Sequence, residues 1–393
     1  MNKIIFHVDV NSAFLSWTAV DLINKGEKVD LREIPSVIGG DISQRKGVVL
    51  AKSHIAKKYG IKTGESIFSA KKKCSKLTIV RPNFDVYKKS SKDLMNLLSA
   101  YTERIEKFSI DECFLDLTYS NYKEPIKLAL EIKEKIHKEL GFTVNIGIST
   151  NKVLAKMASD FEKPNKIHTL YKNEIKEKMW PLPVENLFMV GEKSKQKLNT
   201  IGVYTIGDLA NMPLQLTKGK FKKYGIMIWN YANGIDNSEV KNEGYKNKCI
   251  SSSTTLSYNI TKKEEAFKVL LNLSEDVCYR LRKLKKNCLS ISVTIRNNDF
   301  KDYSHQKKIK NSTSSTEEVY NISKKLFLEM WNNEPIRLLG VSISNICKEE
   351  YYQVTLFEDK KKNKSSNLDR TIDGIREKYG ENYIFRLSSK NKK

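Results

Sequence analysis

Nowhere in the chain do cysteines stand close together. The six (at 74, 113, 249, 278, 288 and 347) form no C-x-x-C pair and have no metal-type spacing. This excludes a cysteine metal clip and predicts six reduced thiols in the cytosol. A long apolar run is also missing. No uninterrupted stretch reaches the roughly 18 residues of a membrane span. The opening MNKIIFHVDVNSAF has too short an apolar run for a signal peptide and carries Asp9 inside it. The expectation is a cytoplasmic protein with no membrane contact. No repeat of fixed period is present. Acid is scarce too: 46 Asp and Glu face 70 Lys and Arg, a net charge of +24. Such an excess favours an anionic partner, either nucleic acid or an anionic membrane surface. Part of it is compositional, because most of the basic residues are Lys in a chain also rich in Asn and Ile.

What is present is enough for two or more domains in 393 residues. KIIFHVDV (3–10) reads as a buried strand ending in an acid, and NSAFLSWTAVDLINKG follows at near-helical spacing. Residues 46–64 read as a strand and a basic helix, 85–109 as an amphipathic helix, and 125–140 as a helix with Pro125 in its first turn. A strand at 142–150 and a helix at 151–161 complete an α+β unit over the first 165 residues. From Trp180 to about Asn233 the pattern is helical with glycine turns. Residues 249–347 return to α+β: strand (250–257), helix (263–285), strand (289–296), polar loop, helix (315–331), strand (337–346). The lysine-rich KKKNKSS near the C-terminus reads as a flexible low-complexity segment before a short helix.

FSIDECFLDL (108–117) poses the chemical question. It has the composition of a core strand, yet Asp111 and Glu112 sit side by side within it. Burying even a neutral polar group unpaired costs roughly 2–7 kcal/mol. Asp9, Asp111 and Glu112 should meet in one sheet, where three acids need a counter-charge. Hard oxygen ligands suit Mg²⁺ bridging carboxylates to substrate phosphates, and two such ions about 4 Å apart can align an attacking hydroxyl and a leaving pyrophosphate. The plain alternative is a strand end whose acids pair with nearby lysines. Acidic pairs are common, so spacing alone favours that alternative.

Four segments read together change the balance: HVDVNSAF (7–14), GVVLAKSHIAKKYGIKTGES (47–66), FSIDECFLDL and NIGISTNKVLAKMASDFEKPN (145–165). In this order and spacing they resemble the Y-family DNA polymerases of the bacterial DNA polymerase IV type, and the likeness covers nearly the whole chain. The resemblance implies an α+β multidomain right-hand polymerase. Its palm and fingers would span 1–165 (fingers about 25–80), its thumb with a helix-hairpin-helix 166–235, and a linker 236–248. A ferredoxin-like little finger would follow at 249–347 and a tail at 348–393. It implies low-fidelity, template-directed translesion synthesis with two Mg²⁺ ions, for which Mn²⁺ can substitute. The implied ligands are Asp9, Asp111, Glu112 and the Val10 carbonyl. Phe14 matches the aromatic steric gate that selects dNTPs over rNTPs, and Lys156 matches a lysine meeting the triphosphate. Each has an ordinary alternative: a core aromatic for Phe14, a solvated helix lysine for Lys156.

The likeness also has gaps. Asn11 stands where most members carry a second acid, and Ala13 replaces a usual aromatic. His54 and Lys57 replace the tyrosine and arginine that normally hold the phosphates. Lys57 keeps the charge but loses the bidentate fork, so weaker or reoriented nucleotide binding is expected. Gly191 and Gly202 mark the hairpin that would meet DNA phosphates through backbone N–H groups, although an ordinary helical hairpin also uses such caps. Arg296 in TIRNNDF is expected on template phosphates. QVTLF (353–357) resembles the peptide that binds the bacterial sliding clamp through Gln353, Leu356 and Phe357, or else it is a short edge strand. The expected partners are primed template DNA, dNTPs and the clamp, for a monomer. The gaps leave a second reading, a catalytically weak or inactive DNA- and clamp-binding relative. A nucleotidyl cyclase, prompted by IGGD (38–41), is set aside because Ile42 and Ser43 follow where acids are needed.

Overall fold

The computed structural model describes residues 3–41, 47–119, 124–242, 248–348, 360–380 and 383–384. The chain divides into two compact units, Met1–Gly40 with Gly47–Gly244, and Asp41–Lys46 with Tyr245–Lys393.

The first unit is built on β1 (Ile5–Val10), every residue of which is buried. Alternate side chains serve two cores. Phe6, Val8 and Val10 pack with Tyr87, Leu94, Ile132 and Phe142, whereas Ile5 meets Phe114 and Ala155. A strand buried on both faces needs an unbroken apolar run, and IIFHV supplies it. After β1 come α1 (Ala13–Asn24), β2 (Ser36–Gly39), β3 (Val49–Lys52), α2 (His54–Lys58), α3 (Ile67–Lys73) and β4 (Thr78–Val80). The last three strands pair as a small sheet, β3-β2-β4. Next are α4 (Phe84–Leu98), β5 (Ile105–Lys107), β6 (Glu112–Asp116), α5 (Pro125–Leu140), β7 (Val144–Ser149), α6 (Lys152–Ser159) and β8 (Ile167–Thr169). The main sheet runs β5-β6-β1-β7-β8. The long helix expected over 85–109 therefore stops at Leu98, and Ile105 belongs to a strand.

Two pairings place the acids. Across β1 and β6 Asp9 faces Glu112, and across β1 and β7 it faces Asn145. Strand β6 begins at Glu112, so Asp111 lies in the turn before it rather than in a core strand. The rest of the unit is helical: α7 (Glu192–Asn199), α8 (Ile206–Asn211) and α9 (Leu214–Ala232). They share a core with Val153, Leu154 and Met157 of α6.

The second unit runs β9 (Cys249–Ile260), α10 (Lys263–Lys283), β10 (Lys286–Asn297), β11 (Asp302–Thr313), α11 (Thr316–Met330) and β12 (Ile336–Lys348). The polar loop expected before α11 is thus a twelve-residue strand, which completes the β-α-β-β-α-β order of a ferredoxin-like unit. The strands are arranged β11-β10-β12-β9, all antiparallel. The lysine-rich tail segment expected to be flexible opens a further helix, α12 (Lys360–Tyr379). No helix among the described residues is long and apolar enough to cross a membrane, and all six cysteines are free.

Candidate active site

The carboxyl end of β1 opens into a cavity of about 400 Å³. Asp9, Val10, Asn11, Phe14 and Asp111 line it on the sheet side, and Lys52, His54 and Lys57 on the β3–α2 side. Lys163, from the turn after α6, also lines it. Sequence spacing therefore brings Asp9, Val10, Phe14, His54, Lys57 and Asp111 to one place.

Each wall has a local cause. Ser53 caps α2, its hydroxyl accepting from the Ala56 N–H at 3.0 Å and donating to the Ile34 carbonyl at 2.8 Å. This cap sets the direction of His54 and Lys57. The Phe14 ring stacks on Tyr87 at 4.5 Å with 14° between planes and meets Phe84 edge-on at 6.1 Å. Its rotation is therefore restricted by packing. The α6 wall depends on Gly147, where a Cβ would come within 2.0 Å of the Ala155 carbonyl oxygen. Only glycine lets the helix approach β7 so closely.

That approach brings two lysines to the acids. Lys156 Nζ donates to Glu112 Oε2 at 2.6 Å and to Asp9 Oδ2 at 3.3 Å. Lys163 Nζ donates to Asp9 Oδ2 at 2.7 Å and lies 2.8 Å from Asp160. Lys156 is buried and does not line the cavity; Lys163 does. His7 is wholly buried beneath them. Its Nδ1 is 2.8 Å from the Ser159 hydroxyl. Its Nε2 is 3.0 Å from Glu112 Oε2, within ion-pair range but off the line of a good hydrogen bond. His7, Asp9 and Glu112 each bring one donor atom within 4.8 Å of the others. The Asp111 carboxylate stands outside this trio and accepts from the Ser109 hydroxyl.

The charges are divided unevenly. Burial raises the Asp111 carboxyl above its ordinary range, the Ser109 hydrogen bond opposes this, and the Asp9 and Glu112 charges add to it. Burial also works against ionised Glu112, but His7 and Lys156 outweigh it and hold the group down to about 2. Burial lowers the His7 imidazole below its usual value. Lys52 is lowered as well, by burial and then by the Lys57 charge, so the β3–α2 wall concentrates positive charge.

Other expected residues lie elsewhere. Gly191 is the N-cap of α7, and Gly202 takes the positive φ of 79° that ends the following turn. Both belong to the helical part of the first unit. Arg296 is in the second unit, on β10, in a two-point pair with Asp302 at 2.7 and 2.8 Å. Gln353, Leu356 and Phe357 fall outside the described residues. Sequence reasoning missed Lys52, Lys163 and His7, although all three lay inside the motifs that carried the likeness.

Comparison with known proteins agrees with these motifs. Residues 8–160 match the impB/mucB/samB family model, and residues 247–356 match the model of that family's C-terminal domain. A DNA polymerase IV of Clostridium acetobutylicum is 55% identical over 387 residues, covering 98% of each chain. A DNA polymerase IV of Acetivibrio thermocellus is 37% identical, covering 97% of this chain and 96% of its own. A solved Y-family DNA polymerase chimera superimposes with a TM-score of 0.78 at 24% identity, over 88% of this chain and all of its own, a likeness of fold. The chain belongs to the impB/mucB/samB family, the Y-family lineage of the DNA polymerase IV type that its motifs resemble.

Proposed function

We propose that this protein is a DNA-directed DNA polymerase of translesion type, which adds a dNMP to a primer 3′ end and releases pyrophosphate. The observation that carries the reading is the convergence of Asp9, Asp111 and the Val10 backbone with Phe14 and the Lys52, His54, Lys57 and Lys163 cluster around one cavity. Acid lies on the sheet wall with Lys163 beside it, and Lys52, His54 and Lys57 face it from the β3–α2 wall, an arrangement suited to a metal-bridged triphosphate.

The donor set fits Mg²⁺. It consists of carboxylate oxygens from Asp9, Asp111 and Glu112 with the Val10 carbonyl, all hard ligands. Burial and two like charges oppose ionisation of Asp111, so a bound cation there would meet a ready counter-charge demand. Bound there, two divalent ions would supply alignment of the primer hydroxyl and charge neutralisation at the α-phosphate. The protein groups do the rest. Asp9 and Asp111 hold the ions, and Glu112 sits at the primer side. Lys57, His54 and Lys163 meet the phosphates, with Lys163 in the role the sequence suggested for Lys156. Lys156 instead stays on Glu112 and Asp9, where its charge helps hold the Glu112 carboxyl down. Phe14, wedged against Tyr87 and Phe84, presents a fixed ring under the sugar and excludes a 2′-hydroxyl. Because the rings that hold it are packed, the exclusion is steric and independent of metal.

Gly191, Gly202 and Arg296 serve duplex phosphates, and the peptide at 353–357 recruits a sliding clamp. Deleting residues 353–357 should leave distributive synthesis intact and abolish stimulation by the clamp. The decisive experiment is single-dNTP primer extension with Mg²⁺, comparing wild type with Asp111→Ala/Glu112→Ala. Templated addition that disappears in the variant supports the reading. DNA binding without any addition by wild type would overturn it.

A further inference from the structure

Asn11 is the most conspicuous gap in the family likeness, a neutral amide where most members carry an acid. The structure gives it a positive task. Its Nδ2 donates to Asn145 Oδ1 at 3.0 Å. Its Oδ1 accepts from the Asn165 backbone N–H at 2.9 Å and from the Thr143 hydroxyl at 3.0 Å. Asn145, wholly buried, completes the network. Its Nδ2 donates to the carbonyls of Ser159, at 3.0 Å, and Glu162, at 2.6 Å. Its Oδ1 also accepts from the Lys166 N–H at 3.2 Å.

These backbone partners fix which way both amides point. Asn145 faces two carbonyls with its nitrogen and the Lys166 N–H with its oxygen, so only a donor can meet that oxygen from position 11. Asn165 in turn presents an N–H, so position 11 must also offer an acceptor. An amide does both; a carboxylate cannot. Aspartate at 11 would set oxygen against oxygen at a spacing of about 3 Å, with a buried amide unable to turn without breaking its backbone bonds. The segment held by these bonds, from Ser159 to Lys166, is the turn that carries Lys163.

We infer that the Asn11–Asn145 amide pair positions Lys163 at the cavity, and that restoring the family's usual acid at position 11 would impair this protein rather than improve it. This deepens the polymerase reading and rests on it. Asn11 lines the cavity, but both ends of its amide are taken by protein partners, so it is a positioning residue that acts through Lys163. Its loss should therefore weaken nucleotide capture more than it slows the bound complex.

The test uses the full-length protein, primed DNA, Mg²⁺ and single dNTPs, with KM and kcat measured separately. Asn11→Asp and Asn11→Ser should each raise the KM for dNTP by about tenfold, the worth of one charge-assisted phosphate contact. The kcat should change much less, and affinity for primed DNA should hold. Lys163→Ala should raise KM similarly. In the Lys163→Ala background Asn11→Asp should then add nothing, because both changes remove one interaction. Asn11→Ser introduces no charge and keeps the test open should the aspartate variant fold poorly. Unchanged KM in the Asn11 variants, no effect of Lys163→Ala, or fully additive effects in the double variant would each overturn the inference while wild-type activity upheld the polymerase reading. A wild type that incorporates nothing would overturn both, and that outcome is read from wild type alone.

Discussion

Two clusters of buried charge, one in each unit, are built for opposite ends. In the second unit, Arg282 of α10 reaches across to α12. Its guanidinium grips Asp373 at two points, 2.6 and 2.9 Å, and reaches Asp369 at 3.4 Å. Asp369, 2% exposed, also accepts from the Thr316 N–H at 2.9 Å, so a side chain of α12 caps the first turn of α11. Arg376 meets Glu275 at 3.0 Å. Acid and base here fit in fixed forked geometry. In the first unit, Asp111 has only Ser109 and its own backbone to set against burial and two neighbouring acids. One cluster satisfies its charges internally and fastens a helix. The other leaves Asp111 at a cavity with burial and two neighbouring acids set against its charge, the pattern on which the proposed site of chemistry rests.

The contrast breaks most sharply at Asp111. Asp111→Asn should abolish incorporation, by at least about 10³-fold, if Asp111 is the metal ligand proposed above. Its folding stability, followed by urea melts without metal at pH 7, should hold or rise. The sign follows from the raised carboxyl: the fold disfavours its ionised form, so a neutral isostere relieves a cost. Arg282→Met should do the reverse. Stranding buried Asp369 and Asp373 without their guanidinium costs about 3–5 kcal/mol, while incorporation per folded molecule stays close to wild type. A stable Arg282→Met protein, or a destabilised Asp111→Asn protein, would erase the distinction.

The two clusters also differ in how far they could be read from sequence. Asp9 was legible because a buried strand ended in an acid, and the two acids of FSIDECFLDL were legible because they interrupted an apolar run. The Arg282 cluster left no such trace. Its partners lie about ninety residues apart in sequence, and α12 docks through Asp369, Asp373 and Arg376 as well as Ile372. A lysine-rich start without an apolar stripe gives no helical period to find. Strand β11 was missed for a related reason: its first seven residues are all exposed, so nothing alternates. The overlong helix at 85–109 arose because Tyr101, Ile105 and Phe108 extend the apolar stripe by coincidence of spacing. Lys156 was picked from the sequence and Lys163 overlooked. Both follow β7 closely, and only the packing of α6 on Gly147 turns one inward and leaves the other at the cavity.

Glu112 sharpens the comparison from inside the first unit's cluster, because it behaves like a member of the other one. His7 and Lys156 bring its carboxyl down to about 2 from an ordinary 4.5. A depressed acid contributes stability that is fully present above its unfolded value and is lost as pH falls through its folded value. Wild type should therefore exceed Glu112→Gln by about 3 kcal/mol at pH 6, and the gap should close between pH 4.5 and about 2. Urea melts of the two proteins across that range measure it. A gap independent of pH would mean that the ion pair with Lys156 is not what holds Glu112.

The smallest effect belongs to a third arrangement, a charge pair in neither cluster. Arg296 and Asp302 form a two-point bond across β10 and β11, but their side chains are 38% and 51% exposed. Water screens such a pair, and its net worth is below about 1 kcal/mol. Arg296→Ala should leave the urea midpoint almost unmoved. Its consequence should appear instead in DNA binding, where the guanidinium can exchange Asp302 for a phosphate at little cost because both states are solvated. Losing one phosphate contact should lower the slope of log affinity against log salt by about 0.9 and weaken binding equally on all sequences. Affinity for primed DNA, measured by anisotropy over a range of salt concentrations, reads both. An unchanged slope would place Arg296 off the DNA path and leave its pair with Asp302 as a surface contact of no consequence for either folding or binding.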